Sequence, residues 1–282
     1  MRRIFLLSIL ITFLISCSNN DDATEPIINP VKQLLKTDNY LFENGNLNIK
    51  ISTKYENNKP VTDSVYDSSN QLSYYSKNFI NTNNLASSIK VYIPNGTLSI
   101  ENNIIYDNSG KITQINNTQP SGSSVINFTF NPNNTITSAT ISNGSVVVTK
   151  TFFFNTNDII NKEINGSNTK EFIYDSNKNL TQNTSLNITN NYEYNEPHLK
   201  PSILQFDNST IVGSTKMNTV LIGNTLDDQN NTFGDKLISK ITTSNGIIFD
   251  YVYIYNSDNY PTNVKTYRNN QLVSELFYTY SY

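Results

Sequence analysis

Runs of alternating apolar and polar residues, broken by clusters of turn-forming residues, extend along most of the chain beyond residue 40. Alternation with a period of two is typical of β-strands that bury one face. No segment shows a convincing helical period, and the best candidate, VKQLLK at residues 31–36, is little more than one turn long. The pattern predicts an all-β protein.

A recurring unit joins these strands. In each copy an aromatic residue is followed by Asp or Asn and a polar turn, and an aliphatic residue or proline lies six positions after the aromatic. The unit occurs six times, beginning at Tyr66, Tyr106, Phe130, Phe154, Tyr174 and Tyr255. Because Asp and Asn side chains bond to their own backbone in turns, we expect the aromatic to end one strand and the aliphatic to begin the next. We call this the aromatic-turn unit and interpret it as a hairpin-forming element.

Five Asn-Gly pairs mark further turns, since both residues accept the positive φ angles of a two-residue type I′ hairpin. They lie at residues 44–45, 95–96, 143–144, 165–166 and 245–246. A two-residue turn at the third pair would place Ile141 opposite Val146 and Ala139 opposite Val148. These residues would form one apolar face that continues to Phe152, as is typical of a half-buried strand pair.

The number of turn signals sets the size of the sheet. Counting strands between them gives roughly sixteen to eighteen, more than the ~10 strands at which an open sheet curls or splits. We therefore predict a long antiparallel meander of β-hairpin repeats, either curled on itself or folded into two sheets. This single repeat-built domain would span residues 38–282, with an irregular connection near residues 199–235.

The amino terminus has the features of an export signal. Two arginines precede a twelve-residue apolar run, Ile4 to Ile15, which is too short to span a bilayer. The LISC sequence that ends this region resembles a bacterial lipobox, in which the cysteine is lipidated and becomes the first residue of the mature chain. We predict a lipoprotein signal peptide at residues 1–16, a lipid on Cys17 and a flexible tether over residues 17–37. The alternative is a secreted protein with an incidental cysteine.

The residues that follow the cysteine bear on localisation. Asp21 and Asp22, in an Asn-rich stretch, resemble the export signal that sends lipoproteins of the Bacteroidota to the cell exterior. We therefore expect an outer-membrane lipoprotein that faces the exterior, with the periplasmic face as the alternative.

Composition excludes several classes of function. The formal charge of −3 and the lack of a basic run argue against nucleic acid as a partner. Cys17 and His198 are the only cysteine and histidine, so the chain cannot build a zinc site of the usual ligand types. The acidic residues are scattered, and the ten glycines form no phosphate-binding loop. We predict no cofactor, no metal and no catalytic residues.

Tyrosines alternate along two carboxy-terminal strands, which places Tyr251 and Tyr253 on one face and Tyr278 and Tyr280 on another. An exposed tyrosine ladder is a platform for sugars, whereas a covered one is an ordinary set of cross-strand pairs. A two-residue turn at residues 269–270 would extend the second face through Leu272 and Leu276 to the tyrosines. Because leucines interleave with them, we interpret the ladder as core and keep a ligand platform as the alternative.

One short motif indicates a modification. The sequence DSV around Ser64 resembles the acceptor motif for O-linked glycans in the Bacteroidota, and it makes Ser64 a candidate glycosylation site.

The aromatic-turn units, together with the carboxy-terminal sequence YVYIYNSDNYPTNVKTY, resemble the YD-repeat-like lipoproteins of the Bacteroidota, relatives of the repeats in Rhs-type proteins. The resemblance covers most of the chain beyond residue 40. Three of the six units carry Asn in place of Asp, and the turn glycine survives only at Gly110. The resemblance implies an extended β architecture at the cell surface and no catalytic residues.

Together these features predict a lipid-anchored, surface-exposed β-repeat protein that has a binding or structural role without catalysis. Its expected partners are the membrane, through the anchor, and a glycan or protein at the cell surface. The alternative is an envelope protein that binds glycan or hydrolyses polysaccharide. A more remote alternative is an outer-membrane β-barrel, suggested by the alternating aromatics of the ending LFYTYSY.

Overall fold

The computed structural model describes residues 33–281, apart from residues 58, 82–84, 157–158 and 200–235. The predicted signal peptide, Cys17, Asp21, Asp22 and most of the irregular connection lie outside the described residues. Within the described ranges, no helix is long and apolar enough to cross a membrane.

The described residues form eighteen β-strands and confirm the all-β prediction. In chain order the strands are β1 Leu34–Glu43, β2 Asn46–Glu56, β3 Lys59–Tyr66, β4 Leu72–Ile80, β5 Ala86–Tyr92, β6 Leu98–Tyr106, β7 Ile112–Gln119, β8 Gly122–Asn131, β9 Thr135–Ser142, β10 Ser145–Phe154, β11 Ile160–Asn165, β12 Asn168–Tyr174, β13 Leu180–Ser185, β14 Ile188–Leu199, β15 Lys236–Thr243, β16 Ile248–Tyr255, β17 Pro261–Arg268 and β18 Gln271–Tyr280.

The sheet is a closed barrel. Every strand pairs antiparallel with the strands before and after it, and β18 pairs with β1. The meander therefore curls on itself rather than folding into two sheets, and closure leaves none of the eighteen described strands with an edge open to pairing with another chain. Strand β1 begins at Leu34, so the last residues of the predicted tether, and of the helix candidate at residues 31–36, belong to the barrel.

Four of the aromatic-turn units build the same kind of loop. In the unit at Tyr106, the Asp107 carboxylate accepts hydrogen bonds from the backbone N–H groups of Ser109 and Lys111, at 2.8 and 2.9 Å. The Asp107 N–H donates to the carbonyl of Lys111, which closes the loop. Asp67, Asp175 and Asn256 make the same pair of side-chain contacts in their own units. The unit is therefore a hairpin element, as predicted.

The turn glycine is replaceable because other residues adopt its conformation. The fourth residue after the aromatic has a positive φ in each of these four loops: Asn70, Gly110, Lys178 and Asn259. Asn enters the left-handed region more readily than most residues, since its short side chain can bond locally. The loss of glycine from most units therefore leaves the loop intact.

The aliphatic residue at the end of each unit is an anchor in the core. Ile112, Ile136, Ile160, Leu180 and Pro261 are all fully buried. The unit at Tyr66 is the exception, because it lies at the opposite end of the barrel and its Leu72 is only half-buried. We call the end of the barrel that holds the five buried anchors the core end, and the opposite end the cavity end.

Tyrosine hydroxyls link neighbouring hairpins at the core end. They donate to the main-chain carbonyl near the start of the preceding strand: Tyr106 to Ala86, Tyr174 to Ile160, Tyr194 to Leu180, Tyr253 to Ile238 and Tyr280 to Pro261, at 2.6–2.9 Å. Burial raises the pKa of Tyr106 to about 12, so its hydroxyl remains a neutral donor even at alkaline pH values at which an exposed tyrosine ionises.

The inner face of the barrel carries the hydrophobic core at this end. The largest buried cluster contains Ala86, Ile104, Ile112, Ile115, Phe128, Ile136, Phe152, Phe154, Ile160, Phe172, Leu180, Tyr192, Ile238 and Ile241. A second cluster joins Leu34 and Tyr280, with Tyr55, Tyr260 and Tyr278 packed against it. The inner face therefore supplies its own apolar filling where the loops of the units meet.

The outer face carries cross-strand ion pairs. They join Lys90 to Glu101 at 2.9 Å, Lys162 to Glu171 at 3.3 Å, and Lys265 to Glu275 at 3.5 Å. Exposed apolar residues also lie on this face, mainly toward the core end: Phe79, Ile105, Ile173, Val252, Ile254 and Phe277. The outer face is thus mixed, with charged pairs between apolar positions.

Two of the five Asn-Gly pairs form the predicted turn. Residues 44–45 and 143–144 have positive φ at both positions, whereas at the other three pairs only the glycine does. Those three glycines, Gly96, Gly166 and Gly246, serve other turn types. Three of the five pairs therefore mark turns without adopting the type I′ conformation that their residues allow, while Asn269 and Asn270 do form a two-residue turn with positive φ.

β-Bulges change which residues share a face in the two hairpins whose faces were predicted, β9–β10 and β17–β18. Ile141 pairs with Val146 as expected, but Val147 is skipped in the register, so Ala139 lies opposite Thr149. The predicted apolar face is therefore divided between the outer and inner sides of the barrel. Near the carboxy terminus, Tyr267 pairs with Leu272, and a second bulge moves the tyrosines of β18 to the other face. An extra residue in one strand shifts every later side chain to the opposite side.

Candidate ligand-binding cavity

A cavity of about 650 Å³ lies on the inner face toward the cavity end of the barrel. Strands β6 to β13 supply its lining, which consists of Asn102, Asn117, Ser124, Ile126, Thr140, Val148, Lys150, Glu163, Asn165, Asn168, Lys170, Ser185 and Leu186. Its volume is within the range of small-molecule sites in proteins, roughly 300–1,000 Å³. Most of the lining side chains are amides or hydroxyls, in contrast to the apolar core below.

The floor and mouth of the cavity are formed by different residues. Ile126 lines the cavity and also packs against the hydrophobic core, so it belongs to the floor. Leu186, in the turn between β13 and β14, is 67% exposed and lies at the mouth with Asn168. The cavity therefore opens away from the core end.

Three charged side chains face one another across neighbouring strands. Glu163 on β11 is 3% exposed, and its Oε1 forms an ion pair with the Lys150 ammonium of β10 at 3.6 Å. Its Oε2 is buried and has no hydrogen-bond partner among the described residues. Lys170 on β12 is the direct cross-strand neighbour of Glu163.

Amide groups on the adjoining wall are already oriented. The Asn117 side-chain amide donates from Nδ2 to the side-chain Oδ1 of Asn102 at 2.8 Å, across β7 and β6. This bond fixes both amides and leaves the Asn102 N–H groups and the Asn117 oxygen able to contact a ligand. Fixed amides are suited to recognising hydroxyl groups, because each amide offers both donors and acceptors.

The four candidate platform tyrosines lie elsewhere, on the inner face of β16 and β18 and outside the cavity lining. Tyr280 is buried and Tyr251, Tyr253 and Tyr278 are half-buried. The Tyr278 and Tyr280 rings stack with centroids 6.3 Å apart. Burial raises the pKa of Tyr253 and of Tyr278 above the usual value for tyrosine.

The remaining predicted residues are not near the cavity. Ser64 is half-buried on the outer face of β3, opposite Ser52 of β2 and Tyr75 of β4. The side chain of His198 lies outside the described residues. Within the part of the chain that is described, no group of three or more His, Cys, Asp or Glu side chains could hold a metal ion.

Sequence reasoning missed the cavity. Lys150, Glu163 and Lys170 lie on three successive strands, and their proximity depends on the register of each hairpin. The available signal was the occurrence of charged residues at inward positions of strands that otherwise alternate apolar and polar. This signal could be used only with the position of the bulge at Val147, because that bulge determines that Lys150 points inward.

Comparisons with known proteins give similarity in architecture only. No protein-family model matches the chain, and no curated protein matches it significantly. A porin-like protein from Bacteroides uniformis is 9% identical, with a TM-score of 0.44 over 89% of this chain and 96% of that one.

Chains of Tc toxin structures also match. A chain of the Photorhabdus luminescens Tc holotoxin pore is 9% identical with a TM-score of 0.28, and this protein covers 11% of it. A chain of the TcdB2-TccC3-Cdc42 structure is 10% identical with a TM-score of 0.27, again with 11% of that chain covered. At these scores the fold rests on the strand pairings themselves, and the YD-repeat resemblance rests on the aromatic-turn units.

Proposed function

We propose that this protein is a lipid-anchored barrel at the cell surface that binds a hydroxyl-rich ligand, such as a glycan, in its inner cavity. The observation that carries the proposal is the chemistry of the lining, in which amide and hydroxyl groups predominate and surround three charged side chains. A few convergent polar groups in a concave site are what fixes a ligand in most binding pockets.

The amino terminus of the barrel and the cavity lie at opposite ends, which suits a protein that is anchored by its amino-terminal segment. Strand β1 begins at the core end, and the cavity opens at the opposite end. A lipid on Cys17 would therefore be connected along the chain to the core end of the barrel. The segment between Cys17 and Leu34 would serve as the tether.

Binding without catalysis is favoured over hydrolysis. Most glycosidases require two carboxylates that flank the scissile bond. Glu163 is the one carboxylate among the described residues that line the cavity. We therefore assign the cavity a capture role.

An outer-membrane barrel is the second candidate, favoured by a closed sheet with an even number of strands. The outer face argues for the lipoprotein instead. A lipid-facing surface would place the Lys90–Glu101 and Lys162–Glu171 pairs in hydrocarbon, where charged side chains are costly.

Replacing residues 1–17 by a signal peptide that is cleaved without lipidation distinguishes these two candidates in the native host. If the lipid is the only attachment, the variant should be released from membranes by alkaline carbonate, whereas the parent should remain and carry an acyl group on Cys17 by mass spectrometry. A variant that stays in the membrane fraction as firmly as the parent would support the integral barrel and overturn the lipid anchor.

Filling the cavity should abolish ligand binding. Ser124 points into the cavity, whereas its neighbour Ser123 points outward from the same strand. On an array of neutral and acidic oligosaccharides, Ser124→Trp should lose the ligands that the parent retains, and Ser123→Trp should keep them. A folded parent that retains no oligosaccharide would contradict the glycan-binding role.

A further inference from the structure

The strongest unexplained feature of the cavity is Glu163. Its carboxylate is buried, yet only Oε1 is used, by Lys150. The other oxygen, Oε2, lacks a hydrogen-bond partner within the described ranges. An unsatisfied buried carboxylate oxygen is costly to a fold, because the oxygen has lost water without gaining a donor. Since the residue lines the cavity, a bound ligand is able to supply the missing donor.

Lys170 is the second unexplained group. It lines the same cavity beside Glu163, and within the described part of the chain it forms no ion pair. The lysines of the outer face behave differently: Lys162, the outward neighbour of Glu163 on β11, is paired with Glu171. The ammonium of Lys170 is therefore available to an anionic group that enters from the mouth.

The charges of the lining define the ligand further. Two lysines and one glutamate leave a net positive charge of one. One carboxylate on the ligand matches this charge, whereas a dianion would be repelled by Glu163. The described residues of the lining include no arginine, the residue whose planar fork suits bidentate binding of phosphate. The surrounding amides and hydroxyls require that the rest of the ligand be rich in hydroxyl groups.

We propose that the cavity selects a sugar bearing one carboxylate, a uronic acid, whose carboxylate contacts the Lys170 ammonium while a sugar hydroxyl donates to Glu163 Oε2. The oriented amides of Asn102 and Asn117 contact further hydroxyls on the adjoining wall. This inference rests on the proposed binding role of the cavity and adds the class of sugar and the residue that selects it.

The test is calorimetric titration of the full-length chain, purified in detergent, with the methyl glycoside of galacturonic acid, which carries one carboxylate, and with its methyl ester. The two compounds share every hydroxyl and differ in charge. The acid should bind about tenfold or more tightly than the ester, which is the effect of one charge-assisted hydrogen bond. The preference should weaken as salt is raised, since the contact is partly exposed at the mouth.

Matched variants locate the selectivity. Lys170→Met should lose the preference for the acid and keep the affinity for the ester. Lys162→Met removes the same charge from the outer face of the adjacent strand, and it should behave like the parent. Glu163→Gln should weaken the binding of both compounds, because the hydroxyl contact is common to them. Lys170→Gln replaces the methionine variant if that one fails to fold.

The outcomes separate this inference from the proposed function. Equal affinity for acid and ester would overturn the uronic-acid assignment and leave glycan binding in place. A preference for the acid that survives in Lys170→Met would overturn the role of Lys170. If neither compound binds the parent, the assignment is overturned as well, and the proposed function is then judged by the oligosaccharide array and Ser124→Trp.

Discussion

Replacing Phe152 by alanine should lower the free energy of unfolding by about 3–5 kcal/mol, the usual range for removing a buried aromatic ring. Phe152 is 1% exposed and lies in the largest core cluster, opposite Ile136 on one neighbouring strand and Glu163 on the other. Water does not fill the space that the removed ring leaves, because apolar cavities of this kind remain empty. The lost packing is therefore not compensated. Urea unfolding, followed by circular dichroism, measures the change.

Phe153→Ala is the matched control, since the adjacent residue points to the outer face of the same strand. Its ring is half-buried and lies with its centroid 6.0 Å from the Lys162 ammonium. Its loss should cost about 1 kcal/mol or less, as is usual for a partly exposed position. Similar costs for the two variants would mean that the inner and outer faces of β10 have been assigned incorrectly.

This pair of variants also tests the part of the fold that the sequence does not reveal. Local chemistry was sufficient to predict the hairpins, because each aromatic-turn unit closes its own loop through an Asp or Asn side chain, as at Asp107. It was also sufficient to predict that the aliphatic residue begins the next strand, as Leu180 does, since its spacing from the aromatic is constant. Both features depend on residues a few positions apart.

The faces of the strands were harder to predict, because a β-bulge is set by contacts between strands. Val147 and Val148 are equally suited to either side of the sheet, and only the register with β9 shows that Val148 points inward. The bulge at Val147 is one such shift, and because of it the Lys150 side chain points into the cavity. The same limit explains why the barrel's closure could not be chosen over two packed sheets. Closure depends on the pairing of β1 with β18, whose residues are more than two hundred positions apart.

In the candidate site as well, some features follow from the local sequence and others depend on contacts between strands. Individual residues such as Glu163 carry no motif, and their role depends on three neighbouring strands. The tyrosines of the carboxy-terminal strands carried a strong local signal, but its meaning depended on what covers them. The alternative that these tyrosines form a ligand platform is best tested at Tyr280, the most buried of the four.

Tyr280→Ala should cost about 3–5 kcal/mol of unfolding free energy if the ladder is core, the range for truncating a buried aromatic residue. Tyr280 is 8% exposed, its ring contacts Tyr260 edge to face, and its hydroxyl donates to the Pro261 carbonyl at 2.7 Å. A sugar platform would instead require the ring to be accessible, and its removal would then leave stability within about 0.5 kcal/mol while abolishing ligand retention.

Two further variants serve as comparisons, one for the loss of the hydroxyl alone and one for the loss of an exposed ring. Tyr280→Phe keeps the ring and removes the donor, so it should cost about 1 kcal/mol, the usual net value of one hydrogen bond. Phe277→Ala truncates an aromatic residue that is 40% exposed on the same strand, and it should be milder than Tyr280→Ala. An unchanged urea midpoint for Tyr280→Ala, together with lost oligosaccharide binding, would identify the tyrosine face as a ligand platform. A large shift with binding intact would instead identify it as the part of the core that joins the first strand to the last, since Tyr280 pairs with Leu34 at the closure of the barrel.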